Sequence, residues 1–228
     1  MEAIVLVGGL GTRLRGVVSD VPKPMAPVRG RPFLSFVLDR LADAGFDRAV
    51  LASGYRHEAV RGHFGNAYRG MALDYSVEAE PLGTGGAIRL AWSAGIAEPF
   101  VLNGDTYLEL DFGAMVAAHA TAGALFTMAI CRVPDAGRYG ALELEGDRVR
   151  GFAEKGRSGP GWINGGTYLL GRELRGLLPA QGAFSLERDL LASRLGSIRP
   201  LAFRSAGPFI DIGTPEDYAR AERLLAER

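Results

Sequence analysis

Only two of the 26 basic residues are lysines, Lys23 and Lys155. Lysine is a compact point charge, whereas arginine is a broad planar fork. A chain that uses arginine this freely and keeps two lysines points to two crowded sites that must neutralise single phosphate oxygens. Lys23 lies in Pro22-Lys23-Pro24, ten residues after the run Gly8-Gly9-Leu10-Gly11-Thr12-Arg13. Glycines let backbone N–H groups approach a phosphate chain, and Arg and Lys neutralise it. Position 13 is Arg, so the run is not Gly-x-Gly-x-x-Gly, and it lacks the Gly-Lys-Ser/Thr of a Walker A loop. Arg13 and Lys23 beside such a loop favour a nucleoside triphosphate over a dinucleotide.

Two aspartates complete the first set. Asp105 follows Asn103-Gly104 at the end of an apolar run, well placed to hold Mg²⁺. Asp211 stands between Ile210 and Ile212, where an unpaired charge is costly. A metal or a cationic partner explains it, and two carboxylates match Mg²⁺, which takes few protein ligands. Glu154-Lys155 at a strand end reads as a surface ion pair by itself. The scarcity of lysine raises its functional weight.

The 228 residues, 47% apolar and 23% charged, make a soluble globular chain rather than a disordered one. Formal net charge is zero, which argues against an extended nucleic-acid footprint. A single cysteine, Cys131, excludes an intramolecular disulfide framework and a multi-cysteine zinc site. The opening MEAIVLVGG has no basic n-region, so a cytoplasmic location is expected. Residues 112–131 carry no Asp, Glu, Lys or Arg, yet they are Ala-rich and break at Thr121-Ala122-Gly123. We read them as a helix over 112–122 and a buried strand over 124–132, with no membrane span.

The elements that must position these residues alternate. Strands are expected over 3–7, 48–53, 72–77 and 99–106, and helices over 33–44, 56–64 and 85–95. Such alternation implies a parallel sheet covered on both faces, with ligands beyond the carboxyl ends of its strands. The later part adds strand-like segments over 139–145, 148–154, 162–170 (broken by a glycine pair) and 198–204, with a helix over 185–195. Thr214 is a plausible N-cap, with Pro215 first in the helix and Asp217 as its capping-box acid. The expected fold is α/β, a Rossmann-like three-layer sandwich with a mixed, mostly parallel central sheet. One domain is expected over 1–228, with a nucleotide half (1–110) and a sugar-phosphate half (111–228).

Together these motifs resemble the sugar-1-phosphate nucleotidyltransferases, the NDP-sugar pyrophosphorylases, over nearly the whole chain. The matching residues are Gly8-Gly9-x-Gly11-Thr12-Arg13-Leu14, Pro22-Lys23-Pro24, Pro81-Leu82-Gly83-Thr84-Gly85-Gly86-Ala87, Asn103-Gly104-Asp105, Arg138-Tyr139-Gly140, Glu154-Lys155, Asn164-Gly165-Gly166 and Asp211. Both lysines fall where the family uses lysine. The resemblance implies nucleotide binding by Leu6, Gly8, Gly9, Gly11, Thr12, Arg13, Lys23, Glu78, Pro81, Gly83, Thr84, Asn103 and Gly104. It implies sugar-phosphate binding by Asp105, Tyr139, Gly140, Glu154, Lys155, Asn164 and Gly165. Asp105 and Asp211 would hold Mg²⁺, and Arg13, Lys23, Asp105, Lys155 and Asp211 would be catalytic. Relatives usually have Pro after Glu-Lys, where this chain has Gly156.

Glu78-Ala79-Glu80-Pro81-Leu82-Gly83-Thr84 resembles the guanylyl-transferring members, whereas thymidylyl and uridylyl relatives often carry Gln at the place of Glu78. A carboxylate accepts from guanine N1–H and N2–H₂, which uracil and thymine do not both offer. GTP is therefore the expected nucleotide. Residues 7–34 are most similar to the D-glycero-α-D-manno-heptose 1-phosphate guanylyltransferases, which implies that sugar phosphate as acceptor. Other bases and sugars (mannose, glucose or N-acetylmuramate 1-phosphate) are the nearest alternatives. A catalytically silent nucleotide-sugar-binding subunit is another, and so is a dehydrogenase, which would want an acid where Lys23-Pro24 stands. A homo-oligomer is left open.

Overall fold

Ala3, Val5 and Val7 pack to one side of the first strand and Ile4 to the other. A strand apolar on both faces must lie between two layers. In the computed structural model, which describes residues 1–8, 21–54, 56–153 and 159–226, it does.

The first part of the chain runs β1 (Glu2–Leu6), a 3₁₀ turn (Lys23–Met25), β2 (Pro27–Val28), β3 (Arg31–Pro32), α1 (Phe33–Asp43), β4 (Arg48–Ser53) and α2 (His57–Phe64). Then come β5 (Ala67–Tyr68), β6 (Met71–Val77), α3 (Gly83–Trp92), β7 (Phe100–Asn103), β8 (Thr106–Leu108), α4 (Phe112–Thr121) and β9 (Phe126–Val133). The remainder is β10 (Leu142–Glu145), β11 (Arg148–Phe152), β12 (Gly161–Leu170), a 3₁₀ segment (Arg172–Leu177), a π-helical segment (Leu186–Leu191), α5 (Ala192–Ile198), β13 (Leu201–Ser205), β14 (Phe209–Asp211) and α6 (Pro215–Leu224).

The main sheet has ten strands in the order β10-β11-β13-β9-β12-β7-β1-β4-β6-β5. β11, β12 and β5 run against the other seven, so the sheet is mixed and mostly parallel, as expected. Residues from α1, α2, α4 and α6 cover one face, and α3 and the 186–198 helical segments cover the other. The carboxyl ends of β1, β4 and β7 open on one edge, where Gly8, Lys23, Glu78, Asn103 and Asp105 gather. Among the described residues no helix is long and apolar enough to cross a membrane. Residues 112–131 divide into α4 and β9, as expected.

Several boundaries differ from the sequence expectation, each for a local reason. The strand expected over 99–106 is interrupted at Gly104-Asp105, because Gly104 turns in to donate its N–H to the Leu6 carbonyl (2.9 Å). A Cβ on Gly104 would sit 2.8 Å from that oxygen. The chain resumes as β8, which leaves the main sheet to pair with β14. The glycine pair does not break β12. It makes a bulge against β9 between Asn164 and Tyr168, with Gly166 at φ +69°. β10 begins at Leu142 and β13 at Leu201, later than expected. The helix expected over 85–95 begins at Gly83 and ends at Trp92.

α4 contributes a buried histidine. His119 Nδ1 lies 2.7 Å from Thr127 Oγ1 on β9. Burial lowers its pKa, opposed by the charges of Glu98 and Glu173. The unfolded chain therefore binds more protons than the folded one once pH falls below about 6.5, so stability is lost in that direction. We expect thermal unfolding to move to lower temperature between pH 7.5 and pH 5, and less so in His119→Asn. Equal pH slopes for both proteins would show that His119 does not contribute.

Candidate active site

The site grows from the ends of three strands. β1 ends in Leu6, β4 runs to Ala52 and Ser53, and β7 ends in Asn103. Val7 N–H continues the ladder to the Ala52 carbonyl (2.8 Å), and Glu78 N–H continues from β6 to the Ser53 carbonyl (2.8 Å). Above these ends lies a cavity of about 730 Å³, within the range of small-ligand sites. Of the residues expected to bind nucleotide, Leu6, Gly8, Lys23, Glu78, Pro81, Gly83, Thr84 and Asn103 all line it. Asp105 also lines it, and Gly104 lies between Asn103 and Asp105. Ala87, which ends the 81–87 motif, lines it too, as do Ala52 and Gly54, which nothing in their types marked. Gly9, Gly11, Thr12, Arg13, Glu154 and Lys155 lie outside the described residues.

Glu78 is held in place. Its Oε2 accepts the Leu82 N–H at 2.7 Å, closing the 78–82 loop on itself. Gly8 makes room for it: a Cβ there would stand 3.4 Å from Glu78 Oε1 and 3.2 Å from the Gly54 nitrogen.

The glycines after this loop serve packing. Phe184 N–H donates to the Leu82 carbonyl (2.9 Å), and the Phe184 carbonyl accepts from Gly85 N–H (2.9 Å). Gly83 has φ +69°, and a Cβ there would lie 2.7 Å from the Phe184 carbonyl oxygen. A Cβ on Gly85 would overlap the Phe184 ring. The first turn of α3 is thus laced to the 184–187 segment. Gly85→Ala should weaken nucleotide binding about tenfold or more, since overpacking of this kind costs ~1–3 kcal/mol. Adding Phe184→Leu should recover part of the loss. If the pair binds no better than Gly85→Ala alone by titration calorimetry, the ring is not the obstacle.

Lys23 and Asp105, which line the cavity, meet Asp211. Lys23 opens the 3₁₀ turn, which is closed by N–H bonds from Met25 to Pro22 (2.7 Å) and from Ala26 to Lys23 (3.0 Å). Its Nζ donates to Asp105 Oδ2 at 2.5 Å and to Asp211 Oδ1 at 3.4 Å. The two aspartates converge because β14 pairs with β8 in a register that sets Asp211 opposite Thr106. The Ile212 N–H then donates to the Asp105 carbonyl (3.1 Å). Burial raises the Asp211 pKa, the Asp105 charge raises it further, and Lys23 opposes both. Two hard oxygen donors forced together in this way fit a divalent cation completed by water and phosphate oxygens. Among the described residues no group of three or more His, Cys, Asp or Glu forms a fuller cage.

The expected sugar side is built more from internal bonds. Asn164 Nδ2 donates to the Tyr168 hydroxyl (2.7 Å), and its Oδ1 accepts from Gly166 N–H (2.9 Å). A Cβ on Gly165 would meet Leu108 Cδ2 at 2.5 Å, and one on Gly166 would meet Asn103 Nδ2 at 2.9 Å. The bulge is therefore pressed against β7 and β8. Tyr139 packs edge-on against Phe209 of β14, beside the strand that carries Asp211. Gly140 has φ +85°. Arg138 pairs with buried Asp217. Thr214 is the N-cap of α6 as expected, accepting from Asp217 N–H. The Asp217 carboxylate accepts the Thr214 hydroxyl (2.9 Å) and also pairs with Arg220.

Sequence reasoning passed over three residues that tie these parts together: Phe184, Tyr168 and Glu187. An aromatic in an apolar strand or beside apolar neighbours reads as core, and an acid in a helix reads as a solvated face. Neither type carried a signal of its own.

Comparison with known proteins shows the family and the fold. The family model described as nucleotidyl transferase matches residues 2–228. A D-glycero-α-D-manno-heptose 1-phosphate guanylyltransferase of Aneurinibacillus thermoaerophilus is 42% identical over 226 residues, covering 99% of this chain and 98% of that one. A mannose-1-phosphate guanylyltransferase of Mycobacterium tuberculosis is 35% identical, over 99% of this chain and 64% of its own length. The crystal structure of HddC from Yersinia pseudotuberculosis complexed with GMP-PN superposes with a TM-score of 0.87 at 35% identity, over 98% of this chain and 99% of that one.

Proposed function

From a chain that belongs to the nucleotidyl transferase family, we propose an enzyme that transfers the guanylyl group of GTP to D-glycero-α-D-manno-heptose 1-phosphate, giving GDP-heptose and pyrophosphate. The observation that carries the transfer chemistry is the meeting of Asp211 with Lys23 and Asp105, which line the 730 Å³ cavity. The 42% likeness to a heptose 1-phosphate guanylyltransferase along nearly the full length of both chains supports the choice of substrates. A cytoplasmic location goes with that choice.

A phosphate oxygen of the sugar 1-phosphate attacks the α-phosphorus in line. One P–O bond forms, the α–β P–O bond breaks, and its electron pair leaves with pyrophosphate. The nucleophile is already an anion, so no Ser, Cys or His is needed to activate it. Catalysis then rests on position and charge. Lys23 stabilises charge on the triphosphate and on the leaving pyrophosphate. Asp105 and Asp211 would hold Mg²⁺, which would offset the repulsion between the two phosphates. Arg13 and Lys155 are assigned to the triphosphate and the sugar phosphate on their motif positions alone. Glu154, Asn164, Gly140 and Gly165 are assigned to the sugar in the same way.

Glu78 reads the base. Leu82 N–H takes one lone pair of its carboxylate, and the rest remain to accept guanine N1–H and N2–H₂. In Glu78→Gln the amide oxygen stays on Leu82 and the NH₂ group is turned toward the base. GTP preference over UTP should fall about tenfold or more, the worth of a two-point base contact. An unchanged preference in kcat/KM would remove Glu78 from this role.

The test of the whole reading is pyrophosphate release with Mg²⁺ over a grid of nucleoside triphosphates and sugar 1-phosphates. Turnover confined to GTP with the heptose phosphate is expected. Turnover with UTP or dTTP would overturn the base, and turnover with another sugar would overturn the acceptor.

A further inference from the structure

Glu187 lies at the start of the π-helical segment, on neither substrate's expected list. π turns are rare and recur where a side chain must be set for function. Its two carboxylate oxygens face different halves of the site. Oε2 accepts the Thr84 hydroxyl (3.1 Å), whose oxygen also accepts Leu186 N–H (2.9 Å). Oε1 accepts the hydroxyl of Tyr168 (2.8 Å). Tyr168 is fully buried on β12 and accepts from Asn164 Nδ2. The Gly166 N–H on Asn164 Oδ1 fixes which way that amide faces, so the Tyr168 proton must go to Glu187. An unbroken chain of hydrogen bonds thus runs from the base loop to the bulge that presses on Asn103.

We propose that Glu187 is a positioning residue that locks the Thr84 loop and the Asn164–Gly166 bulge into one unit, so that seating the nucleotide prepares the sugar-phosphate side. This rests on the nucleotidyl-transfer reading of the two half-sites. A buried link needed only for stability would be served as well by apolar residues. A carboxylate can accept hydrogen bonds from the Thr84 and Tyr168 hydroxyls on separate oxygens, with the Ser185 hydroxyl (3.3 Å) a further donor to Oε2. Because Thr84 opens α3 and Tyr168 lies on β12, the link also joins elements that share no strand pairing. Nucleotide against the base loop restrains Thr84, and that restraint reaches the bulge through fixed donors.

The test is equilibrium binding of D-glycero-α-D-manno-heptose 1-phosphate with and without a GTP analogue that cannot be cleaved between the α- and β-phosphates, in Mg²⁺. In the unmodified protein the analogue should tighten the sugar phosphate about fivefold or more, the lower end of ordinary coupling between sites. Tyr168→Phe keeps the ring and removes the hydroxyl, and Glu187→Gln keeps the size and loses one acceptor. In both, the factor should drop below about two, while each ligand alone binds within about threefold of its original affinity. Variants that lose thermal stability and keep the full factor would show a purely structural link and overturn the proposal. So would a factor near one in the unmodified protein. Should Glu187→Gln not fold, Tyr168→Phe decides alone. If the turnover grid selects another nucleotide and sugar, the guanylyl reading fails. The coupling is then measured with that pair, where its loss still supports the link and its retention overturns it.

Discussion

Asp105→Asn and Asp211→Asn should each lower kcat about a hundred- to a thousandfold, the usual loss when one preorganised charge-stabilising group is removed. The double variant should be scarcely slower than the worse single one, because the two act as a unit. The reason is in the register of the β8–β14 ribbon. It brings two carboxylates to one lysine, at 2.5 and 3.4 Å, and packing holds them there. Asn keeps the shape and removes the charge. The Mg²⁺ concentration giving half-maximal rate should rise in both. Stability gives the control: Asp211 carries a charge that burial and Asp105 disfavour, so Asp211→Asn should melt no lower than the parent. Full activity at the original Mg²⁺ concentration in either variant would free that residue from metal binding. A lower melting temperature with unchanged kcat would make its role purely structural.

This convergence was half legible in the sequence. An acid between two isoleucines announces that something must neutralise it, and a lysine between two prolines announces a fixed cation. Their meeting was not legible, since it depends on a strand pair 100 residues apart that leaves the main sheet. The fold itself was easier to read, because β1, β4 and β7 are runs whose apolar residues face both helical layers. The strand ends then placed the glycine loop and Asn103 together. The packing role of the glycines of 83–86 was not legible, because Gly83 and Gly85 are required by Phe184, a residue a hundred positions later. Asn164 has a further role the sequence did not show, since both ends of its amide bond within the protein. Glu187 gave no signal because its importance lies in two partners, Thr84 and Tyr168, that no local pattern connects to it.

Lys23→Arg preserves charge and should still cost about a hundredfold in kcat. Lys23 leaves 11% of its side chain exposed, and its stem is fixed at the head of a 3₁₀ turn between two prolines. The ammonium fits between two carboxylates where a fork of three nitrogens is wider than the gap. Arg must therefore either push Asp105 and Asp211 apart or swing into the cavity where the triphosphate belongs. Each choice spoils the transition state more than it weakens nucleotide binding, since the charge on the leaving pyrophosphate develops only as the bond breaks. The loss should thus appear in kcat, with the KM for GTP within about threefold of the parent. Gly213 leaves the acid the room it occupies: a Cβ there would meet Asp211 Oδ1 at 2.7 Å. Lys23→Met, which removes the charge and adds no width, should be at least as slow. If Lys23→Arg turned over at close to the parent rate while Lys23→Met did not, charge alone would be required at this position and the fit of the ammonium would not matter.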